Sequence, residues 1–410
     1  MGRPNFRSQW ASDIEWSDPG EAWDVTENKI EPGATEKTQG AIPNQAFAAN
    51  HLNYMFNGYS SAFEYLVETP IHNWGGATSF SGVNGAFQSV YAPDGSMIFI
   101  VGNGDAVKFT GDYGRVLTSI NPPGGANVAL KSFAENATRM LVASDVGDTY
   151  YTKDWATFGS WTTRTFPNAG KGATRLFWMP NTSNFVALGG DTTTMQLLTS
   201  SDGITWTSRT VPTALGTGTR SKEIVACSVE DSAIVALHKV GDVQRGYYLY
   251  SLDGGATWAY ASGPSVVNMG GGSYGDWRWT DPVYSPGIGY LAWAYDDINT
   301  GKSQLWRAAP GAVNALSWTH VADYGARIDS ITCNGALWLS TYRSTTGAGV
   351  MYSTDFGQSW RYSRHRMPAT AGGGNSRLAL AHGCFVHTEA ETGNVAFSCP
   401  TGAGTPVPPL

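Results

Sequence analysis

Five arginines, Arg175, Arg220, Arg278, Arg327 and Arg377, recur at intervals of roughly 50 residues, each at the opening of an apolar run that reads as a β-strand. If those strands are equivalent members of a repeated unit, the five guanidinium groups converge. Convergent guanidinium groups suit carboxylate, sulfate or phosphate, to which they donate paired hydrogen bonds. The competing outcome is internal pairing with loop acids such as Asp191, Asp276, Asp297, Asp323 or Glu391. Both readings stay open on sequence alone. The longest loop expected on the same side, Ser265 to Trp277, adds Tyr274 and Trp277 as further ligand-binding candidates.

Other constellations are less specific. A glycosidase needs two carboxylates at fixed separation; Asp148, Asp296 and Asp297 are available, but spacing does not place them together. Gly271-Gly-Ser273-Tyr-Gly275 matches a nucleophile-elbow pattern without the strand–turn–helix context it requires. Asp297-Ile-Asn299-Thr-Gly301 resembles part of a calcium loop but lacks the distant bidentate Glu, so it reads as a turn. His382, Cys384 and His387 lie on two strands whose alternation separates them. No catalytic residue, metal or cofactor is assigned.

The elements that would position these groups are organised around a recurring turn. Ser251-Leu-Asp253-Gly-Gly255-Ala-Thr-Trp258 and Ser353-Thr-Asp355-Phe-Gly357-Gln-Ser-Trp360 are near-copies, and Ser200-Ser-Asp202-Gly-Ile-Thr-Trp206 is one residue shorter. Weaker versions occur at Asp112, at Asp154 leading to Trp161, and between Arg307 and Trp318, where the Asp is lost. Asp accepts from loop amides, Gly supplies positive φ, the hydroxyls satisfy further loop groups, and Trp anchors the outgoing strand. Spacings of about 42 to 55 residues are those of a propeller blade.

The motif resembles the Asp-box (BNR) repeat of sialidases, sortilin-type receptors and xyloglucanases. The resemblance covers roughly residues 71–405 and implies a β-propeller, and the strand sets along the chain give an all-β fold of seven blades; it says little about activity, since fold does not give function. The Phe/Tyr-Arg-Ile-Pro motif of sialidases has no match in this sequence, and no Tyr–Glu nucleophile pair can be assigned.

Composition agrees with a turn-rich β protein: of 410 residues, 50 are Gly and 16 Trp, with only 14% charged. A net charge of −7 argues against binding a nucleic-acid backbone. There is no apolar run of membrane-spanning length and no apolar core of a signal peptide at the N-terminus, so the chain reads as soluble and not exported by the usual route. Cys227 and Cys333 fall on apolar strands as buried thiols; Cys384 and Cys399 lie on consecutive strands and could pair, though free thiols suit a reducing compartment better.

Residues 1–45 read as an extended arm and residues 46–70 as one amphipathic helix, in which Leu52, Met55, Phe56, Tyr59, Phe63, Leu66 and Val67 form a single stripe ended by Pro70. The stripe packs on the propeller flank, self-associates or docks to a partner. Pro32-Gly33, Gly40, Pro43 and a helix bearing Asn53-Tyr54-Met-Phe56-Asn57 resemble the N-terminal segment of phage tail-fibre and tail-appendage proteins. That resemblance implies attachment of residues 1–70 to other virion tail or capsid proteins, a homo-oligomer, a virion location and a propeller directed at a host-surface polysaccharide. The alternatives are a glycoside hydrolase on the same fold and a purely structural tail part. The last blade is one strand short, and residues 71–76 are expected to supply it and close the ring; residues 406–410 read as a tail.

Overall fold

The computed structural model describes residues 74–398 apart from 80–81, 93–96, 104–105, 113–115, 124–127, 145–147, 168–172, 191–194, 213–223, 231–232, 239–246, 265–276, 286–287, 297–301, 336, 345–346, 368–375 and 390–392. The N-terminal arm, the expected helix and the C-terminal tail lie outside the described residues.

Seven antiparallel sheets are present among them, each a meander of consecutive strands A to D from the centre outward. Strand A is Val83–Gln88, Leu130–Glu135, Ala173–Met179, Ile224–Glu230, the split pair Trp277–Trp279 and Val283–Ser285, Ile331–Asn334, and Ser376–Ala381 in blades one to seven. The chain is an all-β, seven-bladed propeller. Blade seven takes its outer strand from Gly75–Ser79, which pairs antiparallel with Asn394–Ser398. That strand begins four residues later than the 71–76 start read from the sequence.

In blade one the apolar residues Phe87 to Tyr91 read from the sequence as strand A, whereas the strand is Val83–Gln88. Val83, Gly85 and Ala86 are buried against their neighbours, and Ser89 turns the chain by accepting from the Ala92 amide.

What holds the ring together is concentrated at the seams. Six apolar clusters each join two consecutive blades, such as Met179, Val186, Leu188 and Leu197 of blade three with Ile234, Ala236, Leu249 and Trp258 of blade four. The recurring turns lie in those seams. Ser251 Oγ accepts from the Gly255 amide at 2.8 Å and donates to Asp253 at 2.9 Å; Asp253 accepts from the Thr257 amide and hydroxyl; Trp258 Nε1 donates to Gly255 O. Ser353, Asp355, Gly357, Ser359 and Trp360 repeat this set. A Cβ on Gly255, where φ is +85°, would come within 3.1 Å of Val186 in the preceding blade, so Gly is required there by both conformation and contact.

Trp161, Trp206, Trp258 and Trp360, which follow the turns, each pack on the blade before their own. Trp206 Nε1 donates to Tyr150 of blade two, Trp360 joins Leu291 and Trp293 of blade five, and Trp161 Nε1 donates to Ile120 O of blade one. The Asp154 turn departs from the pattern. Its carboxylate pairs with Arg139 at 3.3 Å rather than capping the loop, while Lys153 donates to Gly159 O and lies over the Phe158 and Trp161 rings. That turn lacks a Gly at the positive-φ position, and Phe158 takes φ of +38° instead. Asp112 keeps the capping role, accepting from Thr110 Oγ1 and the Val116 amide.

Between blades six and seven no apolar cluster occurs among the described residues. A buried ionic chain stands there: Arg327 to Asp329 at 2.5 Å, Asp329 to Arg343 at 3.4 Å, and Arg343 to Glu389 at 2.9 Å. Ser330 Oγ accepts from the Leu378 amide in the same seam.

Candidate functional site

Strand A of each blade presents its edge to the central channel, and the second residue of several of these strands carries the polar group that lines it. A cavity of about 290 Å³ lies there, lined by Asn84 of blade one, Lys131 of blade two, Arg175 of blade three, Asp281 of blade five and Arg377 of blade seven, among others. This volume is at the lower edge of the range for small-molecule sites.

The charged groups meet across the ring. Arg175 donates to Asp281 Oδ1 from Nη2 at 3.0 Å and from Nε at 3.3 Å. Arg377 Nη1 stands 3.6 Å from Asp281 Oδ2, beyond hydrogen-bond reach. Lys131 Nζ donates to Asn84 Oδ1 at 3.2 Å, and Asn84 Nδ2 donates to Asn103 Oδ1 and Leu130 O. The described lining residues thus include three cations, Lys131, Arg175 and Arg377, and one carboxylate, Asp281, in a protein whose net charge is −7. Low-dielectric walls focus the field of such cations toward an incoming anion.

The five arginines of the sequence reading divide. Arg175 and Arg377 reach the channel. Arg327 turns aside into its pair with Asp329 and lies over the Tyr295 ring at 5.2 Å. Arg278 sits opposite Tyr295 in the strand register of blade five. Arg220 and Tyr274 lie outside the described residues, as does the side chain of Trp277, whose backbone pairs with Asp296. Of the acids considered as partners, Asp323 bonds His320, and Asp191, Asp276, Asp297 and Glu391 lie outside the description. The acid in the channel is Asp281. Sequence reasoning passed over it because it follows Trp279-Thr280 in an irregular link ending at Pro282, with no repeat to flag it. Lys131 and Asn84 lie at irregularities in their strands, one residue before the paired Ser132 and Gly85, whereas Arg175 and Arg377 are themselves paired, so recurrence of the arginine position does not mark them.

The remaining candidates are committed elsewhere. His382, with φ of +47°, donates from Nε2 to Ser89 O, tying blade seven to blade one. Ser376 Oγ lies 2.6 Å from His387 Nε2, but both residues are fully buried and no substrate reaches them. Cys384 is disulfide-bonded, contrary to the free thiol favoured from the sequence, and the side chain of its partner lies outside the described residues. Cys333 is a free thiol. Asp148 sits at the start of a strand away from the cavity lining, and the side chains of Asp296 and Asp297 are outside the description.

No family model matches the chain, and no curated protein matches it in sequence. Solved structures do. A structure of YCF48 bound to D1 peptide superposes with a TM-score of 0.56 at 11% identity, covering 81% of this chain and 97% of that one. YCF48 from Cyanidioschyzon merolae gives 0.58 at 14%, over 81% and 99%. The Myceliophteria thermophila Cps50 (Swd1) beta-propeller domain gives 0.52 at 9%, over 80% and 99%. At these identities the likeness is one of fold.

Proposed function

We propose that the protein is a binding propeller of a phage virion, attached to tail or capsid proteins through residues 1–70 as a homo-oligomer, and that its channel takes an acidic group of a host-surface glycan. The observation that carries the binding part is the meeting of Lys131, Arg175 and Arg377 around one cavity. The virion part rests on the resemblance of the N-terminal segment to tail-appendage proteins. The Asp-box reading is supported by the Ser, Asp, Gly and Trp hydrogen bonds repeated at Ser251 and Ser353. Binding is favoured over hydrolysis because a glycosidase works with two carboxylates, and the described lining of this cavity holds one, Asp281.

A second reading, an acidic peptide in the same channel, is supported by the similarly folded YCF48 structure that holds a peptide. The test is a panel of acidic and neutral bacterial surface polysaccharides and acidic peptides offered to the full-length chain, beside an Arg175→Ala, Arg377→Ala double variant, with chromatography of the polymers afterwards. Retention of an acidic polysaccharide, intact, that fails in the variant is the expected result. Shortened polymer would make the protein a hydrolase; retention of peptide alone would favour the second reading; no binding would leave a structural part.

A further inference from the structure

The inner strand of blade five is broken. In five of the other blades one continuous strand of six or seven residues follows the channel, whereas blade five has Trp277–Trp279 and Val283–Ser285 with Thr280, Asp281 and Pro282 between them. Pro282 has no N–H to donate and the preceding residue is held out of the helical region, so ladder pairing stops there. The consequence is local: a carboxylate from the far side of the ring enters the channel between two arginines from blades three and seven.

The contacts it makes there differ from those of a structural ion pair. In the seam between blades six and seven, Arg343 and Glu389 are 8% and 0% exposed and 2.9 Å apart. In the channel, the Asp281 side chain is 41% exposed, that of Arg377 30% and that of Arg175 15%. Asp281 gives Arg175 a single oxygen for both donors and stands 3.6 Å from Arg377, too far for a hydrogen bond. A carboxylate this open to water gains less from its cations than a buried one.

We infer that Asp281 is a displaceable internal counter-ion: it occupies, between Arg175 and Arg377, the place that the ligand's anionic group takes, and it caps the channel until such a group exchanges with it. This rests on the binding reading above and goes beyond it by making Asp281 the residue that sets which anions enter. A ligand that brings carboxylate, sulfate or phosphate satisfies Arg175 with two oxygens and comes within hydrogen-bond distance of Arg377, which Asp281 at 3.6 Å does not. Once displaced, the Asp281 carboxylate is an acceptor for ligand hydroxyl groups. A neutral ligand does not open the channel, and a doubly charged or closely paired anion gains more than a single one.

The experiment uses inorganic sulfate as the probe, titrated calorimetrically at low ionic strength into the full-length protein, Asp281→Asn, Arg377→Ala and the double variant. Asp281→Ser provides a second removal of the carboxylate should the Asn variant fold poorly, with thermal melts as the folding check. Expected are sulfate affinity at least about tenfold higher in Asp281→Asn than in the parent, and loss of that gain in the double variant. Equal affinity of parent and Asp281→Asn, with loss in Arg377→Ala, would overturn the displacement and leave the binding reading standing. Weaker binding in Asp281→Asn would show that Asp281 builds the site rather than blocks it. No heat with any of the folded proteins would remove both.

Discussion

Asp202, Asp253 and Asp355 work as ions. Partial burial opposes their charge, but at Asp202 the Thr205 and Ile204 amides and the Ser200 hydroxyl outweigh it and hold the carboxyl at about 2. Asp253 and Asp355 are lowered in the same way, against burial, by Thr257 with Ser251 and by Ser359 with Ser353. A carboxyl whose folded value lies below its unfolded one stabilises fully above the unfolded value and loses that contribution as the pH falls through the folded one. Melting temperature is therefore expected to drop between about pH 4 and pH 2, less steeply in Asp202→Asn; parallel curves would contradict the assignment. Glu135 has the opposite sign. Burial raises its carboxyl, against hydrogen bonds from the Ser89 hydroxyl and the Val90 and Tyr91 amides. Its contribution is present below the unfolded value of 4.5 and is lost as the pH rises through the raised one, so Glu135→Gln should flatten the neutral side of the profile. The Asp turns were legible because Ser, Asp, Gly and Trp recur at fixed offsets. Glu135 was not, because a single Glu at a strand end carries no mark of burial.

At the scale of the element, the seam is the unit of stability, and each Trp-led strand closes a seam with the blade before it. Trp258 is 8% exposed among Met179, Val186 and Leu188 of blade three. Trp258→Ala should lower unfolding free energy by about 3–5 kcal/mol, measured in denaturant; a change under about 1 kcal/mol, the size of a surface effect, would show that the Trp does not hold the seam. The blade six–seven seam is ionic, and Asp329→Ala leaves Arg327 and Arg343 buried without their shared carboxylate. A loss of about 3–5 kcal/mol is expected there as well. The inner strands are the harder ones to read: in blade one Val83 and Gly85 do not stand out, and in blade six the strand begins at Ile331 while Arg327 keeps an isolated bridge to Arg343 and pairs with Asp329. The ionic seam itself was invisible, since Asp329, Arg343 and Glu389 come together only across two blades.

For the molecule as a whole, the number of blades and the closing of the ring by an N-terminal strand could be read from turn spacing and from a last blade one strand short. The channel could be read only in part. Arg175 and Arg377 were marked by recurrence, whereas Asp281 depends on a break in one strand, and recurrence also marked Arg327, which a local acid diverts. If residues 1–70 are an attachment segment, removing them should abolish incorporation into particles while leaving the propeller's melting temperature unchanged; an equal loss of both would make that segment part of the folding unit. The central claim is that the channel cations bind an acidic ligand. It is tested most directly by the affinity of the full-length chain for an acidic surface polysaccharide, beside Arg377→Ala, at two salt concentrations. The account predicts binding without cleavage, weaker at high salt and at least about tenfold weaker in the variant. Equal, salt-independent binding by both proteins would contradict it.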